Sequence, residues 1–375
     1  MSNQAAAKSP ASVTRRYLPG IWVLRGYQRT WLRGDLLAGV TVAAYLVPQV
    51  MAYAEVAGLP AITGLWAAVG PLIAYAVLGS SRQLSVGPES STALMTAAAV
   101  TVLVAGDQQH YAETAAALAL AVGAICLVCW LARLGFLANL LSHPVLIGYM
   151  AGIAVLMIVS QLGKVSGVDV EGDSVLTEVR FFIVHLGEVH RPTLLVAAGT
   201  FAVLVAFYRF LPRWPGPLIA MVLAAAAVAV LDLGQMGVAT VGSIPRGLPP
   251  ASIPGFSTID FSTLLPAALG VTIVAYTDNV VTARAFAARR REEIDARQEF
   301  LALGAANLGA GLFSGFPVSS SGSRTVIGDA VGSRTQLYSL VTAQLCCSPC
   351  CFSVRRSPRF HWRPLVLSWC SPHSG

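Results

Sequence analysis

In 375 residues, apolar side chains make up 55% and charged ones 11%, with a net charge of +7 and a mean hydropathy of +0.67. A water-soluble domain carries about 25% charged residues, so this balance excludes an ordinary soluble globule and points to lipid as the solvent. The apolar stretches are long runs rather than alternating segments of about ten residues, which excludes a transmembrane β-barrel.

Residues 1–33 read as a polar, basic cytoplasmic segment without a cleavable signal. Crossing a hydrocarbon core of about 30 Å takes roughly 20 helical residues. On that measure spans are expected near 35–56, 60–79, 88–105, 114–133, 139–163, 193–211 and 217–233, before the loop at Pro249–Pro254. Val179–Leu186 is expected as a short extra helix on the outer side. An eighth span follows at 263–284, a ninth at 299–314 and a tenth starting near 318.

With the N-terminus inside, the inner segments hold Lys8, Arg15, Arg16, Arg25, Arg29, Arg33, Arg82, Arg133, Arg209, Arg213, Arg284, Arg289, Arg290, Arg291 and Arg297. The outer ones hold only Lys164, Arg180, Arg191 and Arg246. This asymmetry is what the positive-inside rule requires, so the basic excess is a topology signal and not a nucleic-acid surface. The expected class is an all-α polytopic membrane protein in an inner (plasma) membrane. Seven spans before the loop force any second copy to enter with opposite orientation, the inverted-repeat arrangement of secondary transporters.

Polar groups interrupt the spans at four places. In the first span Pro48 removes a backbone donor, and Gln49 and Tyr53, four residues apart, share a face. The competing reading is a kink with one interhelical hydrogen bond. At Ser85-Val-Gly-Pro88-Glu89-Ser90-Ser91-Thr92 the Gly-Pro break places small hydroxyls in a helix's first turn. Unpaired N–H groups there suit an anion, unless this is a surface helix start capped by Glu89. Gly315-Phe-Pro317-Val-Ser319-Ser320-Ser321-Gly322-Ser323-Arg324 repeats the pattern, and paired breaks in two halves point to a transporter binding site. An Arg inside a span costs at least about 2.5–3.5 kcal/mol, so Arg324 should face water or an anion; otherwise it snorkels to an interface. In the eighth span Asp278 and Thr282 share a face as ion ligands or a proton carrier, or Asp278 pairs structurally with Arg324.

These residues closely resemble the SulP family of anion transporters. The likeness runs through Pro48-Gln-Val-Met-Ala-Tyr53-Ala, Pro60-Ala-Ile-Thr-Gly-Leu-Trp66, Gly79-Ser-Ser-Arg82, Ser85-Val-Gly-Pro88, Gln298-Glu-Phe300, Asn307, Phe316-Pro-Val-Ser319 and Arg334-Thr-Gln-Leu337, over about residues 15–343. The resemblance implies fourteen spans in two inverted seven-span repeats, divided into core and gate, with half-helices at the third and tenth spans. It implies that Gln49, Tyr53, Glu89, Ser90, Ser91, Ser320, Ser321, Gly322, Ser323 and Arg324 line the anion site, and that Asp278 and Thr282 hold a coupling ion. Glu89 stands where many relatives have an uncharged residue, and Gly322 replaces a side chain that often shapes the pocket.

The expected activity is secondary active transport of sulfate, bicarbonate or a dicarboxylate, coupled to H+ or Na+. No enzyme activity or cofactor is expected: His143 and His185 stand singly, with no serine–histidine set or phosphate loop. The expected partners are the anion, the coupling ion and the bilayer, with a homodimer left open. A nucleobase symporter of the same architecture and a non-transporting fragment are the alternatives.

Residues 34–343 are expected to form the transporter domain, with about ten of fourteen spans, and 344–375 an aberrant tail. Five of the seven cysteines lie in that tail, at 346, 347, 350, 351 and 370, with Arg355, Arg356, Arg359 and Arg363. Leucine codons CTG CTG read one base later give TGC, cysteine, and GTG GTG gives TGG, tryptophan, so a frameshift is the economical account. Reading the coding DNA beyond codon 336 in all three frames checks it. A shifted frame should continue into hydrophobic spans and a STAS-like domain; three frames without such spans would contradict it.

Overall fold

The computed structural model describes residues 18–104, 110–139, 161–168, 175–211, 216–238 and 261–347, with positions 151, 155, 158 and 159. Its helices are α1 (Pro19–Arg25), α2 (Leu32–Val56), α3 (Ala61–Leu78), α4 (Ser90–Val104), α5 (Tyr111–Leu131), α6 (Leu162–Ser166) and α7 (Val175–Val184). They continue as α8 (Arg191–Phe210), α9 (Gly216–Val230), α10 (Phe261–Arg290), α11 (Ala296–Leu312), α12 (Gly322–Val331) and α13 (Leu337–Cys347). Two short strands, β1 (Ser85–Gly87) and β2 (Ser319–Ser321), interrupt the helical chain. Among the described residues, five helices are long and apolar enough to cross a membrane: 29–56, 61–78, 111–131, 191–210 and 261–288.

The Ala- and Gly-rich composition becomes close helix crossings. In lipid, helices gain nothing from apolar burial against one another, so small residues that let backbones touch drive the packing. A Cβ on Gly70 would lie 2.6 Å from the Gly309 carbonyl carbon, and one on Gly123 would lie 2.9 Å from the Gly304 oxygen. These two contacts seat α11 between α3 and α5, and α13 packs on α2 and α3. Phe300, Leu303, Ala306 and Ala310 fill the centre. α2 runs unbroken through Pro48, as α3 does through Pro71.

Buried polar groups pin this bundle. Glu299 sits in the first turn of α11, where the helix N-terminus favours negative charge. It accepts hydrogen bonds from Tyr75 Oη (2.9 Å), Ser80 N (3.0 Å), Ser80 Oγ (2.6 Å) and Asn279 Nδ2 (2.6 Å). Asp35, also fully buried, accepts from the N–H groups of Arg334 (2.6 Å) and Thr335 (3.2 Å), from Thr335 Oγ1 (2.7 Å) and from Tyr27 Oη (3.1 Å). It thereby ties the start of α2 to the turn before α13. Gln336 donates to the carbonyls of Ser81 (3.0 Å) and Leu84 (2.9 Å), fixing the approach to β1.

α8 and α9 pack on each other, α9 touches the bundle at α2, and none of α8 is buried. Leu195, Phe201, Tyr208 and Phe210 on α8 are largely exposed, as lipid-facing side chains are.

The expected spans match these helices within a few residues, with three departures. Helix α13 was not among the ten expected spans, and it runs past Ala343 to Cys347, whose neighbour Cys346 is buried. The extra helix expected at 179–186 lies further back, at Val175–Val184. Most of the fifth expected span, 139–163, lies outside the described residues.

Replacing Glu299 by Ala orphans the four donors that converge on it. Each buried donor left unpaired costs about 1–3 kcal/mol, shared here among groups that can partly relax. Glu299→Ala should therefore destabilise the purified protein by about 3 kcal/mol or more, read as a lowered thermal unfolding midpoint in detergent. Glu299→Gln should cost less.

Candidate functional site

Both Gly-Pro breaks become extended chain followed by a helix start. β1 and β2 pair antiparallel, with Ser85 opposite Ser321, Val86 opposite Ser320 and Gly87 opposite Ser319. All six residues are buried, so the two breaks satisfy each other's backbone groups, which lipid could not do. Asn307 holds the entry to β2: its Oδ1 accepts from Val318 N (2.9 Å) and its Nδ2 donates to Val318 O (3.1 Å). Thr325 Oγ1 accepts from Ser85 N (3.0 Å), locking α12 to β1.

From these strands α4 and α12 start. Ser321 caps α12, its Oγ accepting from Arg324 N at 3.5 Å, and Thr92 Oγ1 donates to Glu89 O (3.1 Å) at the start of α4. Pro88 supplies no donor at the break, which suits a helix entry.

Arg324 reaches from the first turn of α12 across to the other break and is fully buried. Its Nε donates to Ser85 Oγ (3.3 Å), and its Nη1 to Gln49 Oε1 (3.0 Å) and Pro88 O (2.9 Å). Its Nη2 is buried with no partner. Glu89 Oε2 lies 3.9 Å from Nη1 and is itself buried without a hydrogen bond. Gln49 Nε2 stands 3.3 Å from Tyr45 Oη, 3.2 Å from Tyr53 Oη and 3.4 Å from Ser323 Oγ, linking α2 to α12. Gly322 and Ser323 are exposed, and a Cβ on Gly322 would meet no atom within 4 Å.

Burial excludes the snorkelling reading of Arg324. The structural pairing of Asp278 with Arg324 is also not what forms. Asp278 Oδ2 accepts from Ser319 Oγ and Ser320 Oγ, each at 3.3 Å, while the acid beside Arg324 is Glu89. The reason is topological: Asp278 on α10 meets β2 before the chain turns into α12.

Gln49, Tyr53, Glu89, Ser321, Ser323 and Arg324 thus form one connected group, with Ser90 attached through its Oγ donating to Glu89 Oε1 (3.2 Å). Ser91 is buried in the first turn of α4. Ser320 turns to Asp278 rather than to Arg324. Thr282 is half-buried one turn along α10, and among the described residues no hydrogen bond joins it to the Arg324 group. Sequence reasoning passed over Ser85 and Thr325 as site supports and Glu299 as a fully paired buried acid. Ser85 and Thr325 belong to the two polar breaks already singled out and Glu299 to the Gln298-Glu-Phe300 stretch, but nothing in their local sequence marks them as supports. No group of three or more His, Cys, Asp or Glu among the described residues is arranged to hold a metal ion.

The sulfate permease family model matches residues 32–353. A probable sulfate transporter of Mycobacterium tuberculosis is 55% identical over 336 residues, covering 90% of this chain and 60% of the relative. The chloroplastic sulfate transporter 4.1 of Arabidopsis thaliana is 33% identical, covering 86% and 48%. The chain therefore spans about half to three-fifths of the length of the curated relatives it matches. In fold it resembles the murine solute carrier 26 family member A9 anion transporter in the inward-facing state (TM-score 0.83, 22% identity, 92% of this chain and 61% of that one). It also resembles the transmembrane domain of a cyanobacterial bicarbonate transporter (TM-score 0.74, 24% identity, 86% and 82%).

Proposed function

Because the chain belongs to the sulfate permease family, we propose that the protein moves an inorganic anion of the sulfate type across the inner membrane by secondary active transport. The observation that carries this reading is the convergence of two helix starts, at Ser90 and Gly322, on a buried guanidinium with an idle nitrogen. An anion leaving water loses its hydration and needs replacement donors. First-turn N–H groups supply them with a partial positive charge. Arg324 adds a full charge, and the hydroxyls of Ser90, Ser91, Ser323 and Tyr53 with the Gln49 amide complete a polar lining. Relatives named as sulfate transporters favour sulfate within this class.

Asp278 and Thr282 are the proposed coupling-ion ligands. A dianion entering beside two carboxylates and one guanidinium leaves uncompensated negative charge. Burial of unpaired charge is costly, so a proton or sodium ion at Asp278 should accompany the anion.

Uptake of radiolabelled sulfate into proteoliposomes containing the full chain tests this. Wild-type uptake should be competed by sulfate and not by uracil. Arg324→Gln should lower it at least about a hundredfold, and Arg324→Lys should not restore it, because an ammonium cannot reproduce the planar fork. Asp278→Asn should abolish its dependence on a proton or sodium gradient. Undiminished uptake by Arg324→Gln, or competition by uracil alone, would overturn the anion reading. Retained gradient dependence in Asp278→Asn would overturn the coupling assignment.

A further inference from the structure

Glu89 is an odd group to find at an anion site, and its surroundings define what it does there. One oxygen, Oε1, accepts from Ser90 Oγ at 3.2 Å. The other, Oε2, is buried without a hydrogen bond and faces Arg324 across 3.9 Å, and Arg324 keeps its own Nη2 idle. At that separation the two are an ion pair that has not closed into a bidentate salt bridge. Arg324 is held back by Gln49, Ser85 and Pro88, which fix three of its bonds elsewhere. A buried carboxylate oxygen and a buried guanidinium nitrogen, neither hydrogen-bonded, leave a donor that a ligand can satisfy. Such a ligand sits in the field of both charges.

We propose that Glu89 is a specificity-determining residue that sets the charge of the anion the site accepts, by sharing Arg324 with the substrate as a tethered negative charge. This rests on the reading that the anion binds at Arg324. The energy between a fixed charge and a ligand scales with the ligand's charge, so Glu89 penalises a dianion twice as much as a monoanion. In affinity, the factor for the dianion is the square of the factor for the monoanion. The site as built thus brings sulfate toward the affinity of a singly charged anion and makes its binding depend on a co-bound cation. A purely structural Glu89, stabilising the α4 N-terminus through the helix dipole, would affect folding without touching the ratio between anions.

The test is calorimetric titration of the purified full chain in detergent with sulfate and with nitrate at one fixed ionic strength. Constant ionic strength keeps screening equal for both anions. Glu89→Gln should tighten nitrate about tenfold and sulfate about a hundredfold, raising the sulfate-to-nitrate preference about tenfold. Glu89→Ala, which also removes the charge but leaves no amide to bond the anion, should raise the preference by a similar factor. Arg324→Gln should abolish binding of both. An unchanged preference in both Glu89 variants, with binding intact, would overturn the proposal and leave the anion site at Arg324 standing. Weakened binding of both anions in Glu89→Ala, with Glu89→Gln binding as the wild type does, would overturn it in favour of a hydrogen-bonding carboxylic acid. Wild-type protein that binds neither anion, or Arg324→Gln that binds both normally, would overturn this proposal and the site reading together.

Discussion

The hydrogen bonds that carry Arg324 from one broken helix to the other are the constraint on which the rest of the structure depends. A guanidinium buried inside a membrane bundle is tolerated only where its donors find partners or a water-filled site. Here Ser85 and the Pro88 carbonyl come from one break, Gln49 comes from α2, and Arg324 itself comes from the other break. The guanidinium therefore holds three separate stretches of chain at one point. The paired strands make this geometry stable, because each break supplies the backbone partners the other lacks.

Much of the surrounding bundle exists to keep that point in register. Asn307 clamps the chain just before β2, and Thr325 ties α12 to β1. Glu299 and Asn279 link α11, α10 and the turn after α3 through buried hydrogen bonds. Removing a member of such a network exposes its partners to desolvation rather than simply deleting one bond. The glycine crossings at Gly70–Gly309 and Gly123–Gly304 bring the helices close enough for these short polar contacts to form. By contrast α8 and α9 carry exposed apolar faces and share little with the bundle.

Much of this was legible in the sequence, and for identifiable reasons. Span positions follow from apolar run length, which lipid enforces directly, so 35–56 and 193–211 fell within a few residues of α2 and α8. The two breaks were visible as Gly and Pro next to small hydroxyls, and Arg324 stood out as a charge where lipid forbids one. The β1–β2 pairing was not legible, because it joins segments more than 230 residues apart through backbone atoms that carry no side-chain signature. The partner of Arg324 was open to the same ambiguity. Glu89 and Asp278 are both plausible acids, and only the direction in which the chain leaves β2 separates them. Helix α13 was hidden by its short apolar run and by cysteines that altered the local composition. The family match extends over most of the chain, while the chain spans about half to three-fifths of the length of these relatives.

Where an oxyanion sits in the protein is the most direct question that follows. Crystals of the full chain grown or soaked with selenate, a sulfate analogue with a strong anomalous signal, answer it. The account predicts one anomalous peak between the first turns of α4 and α12, within hydrogen-bonding reach of Arg324 Nη2. A peak elsewhere, with none at Arg324, would contradict it.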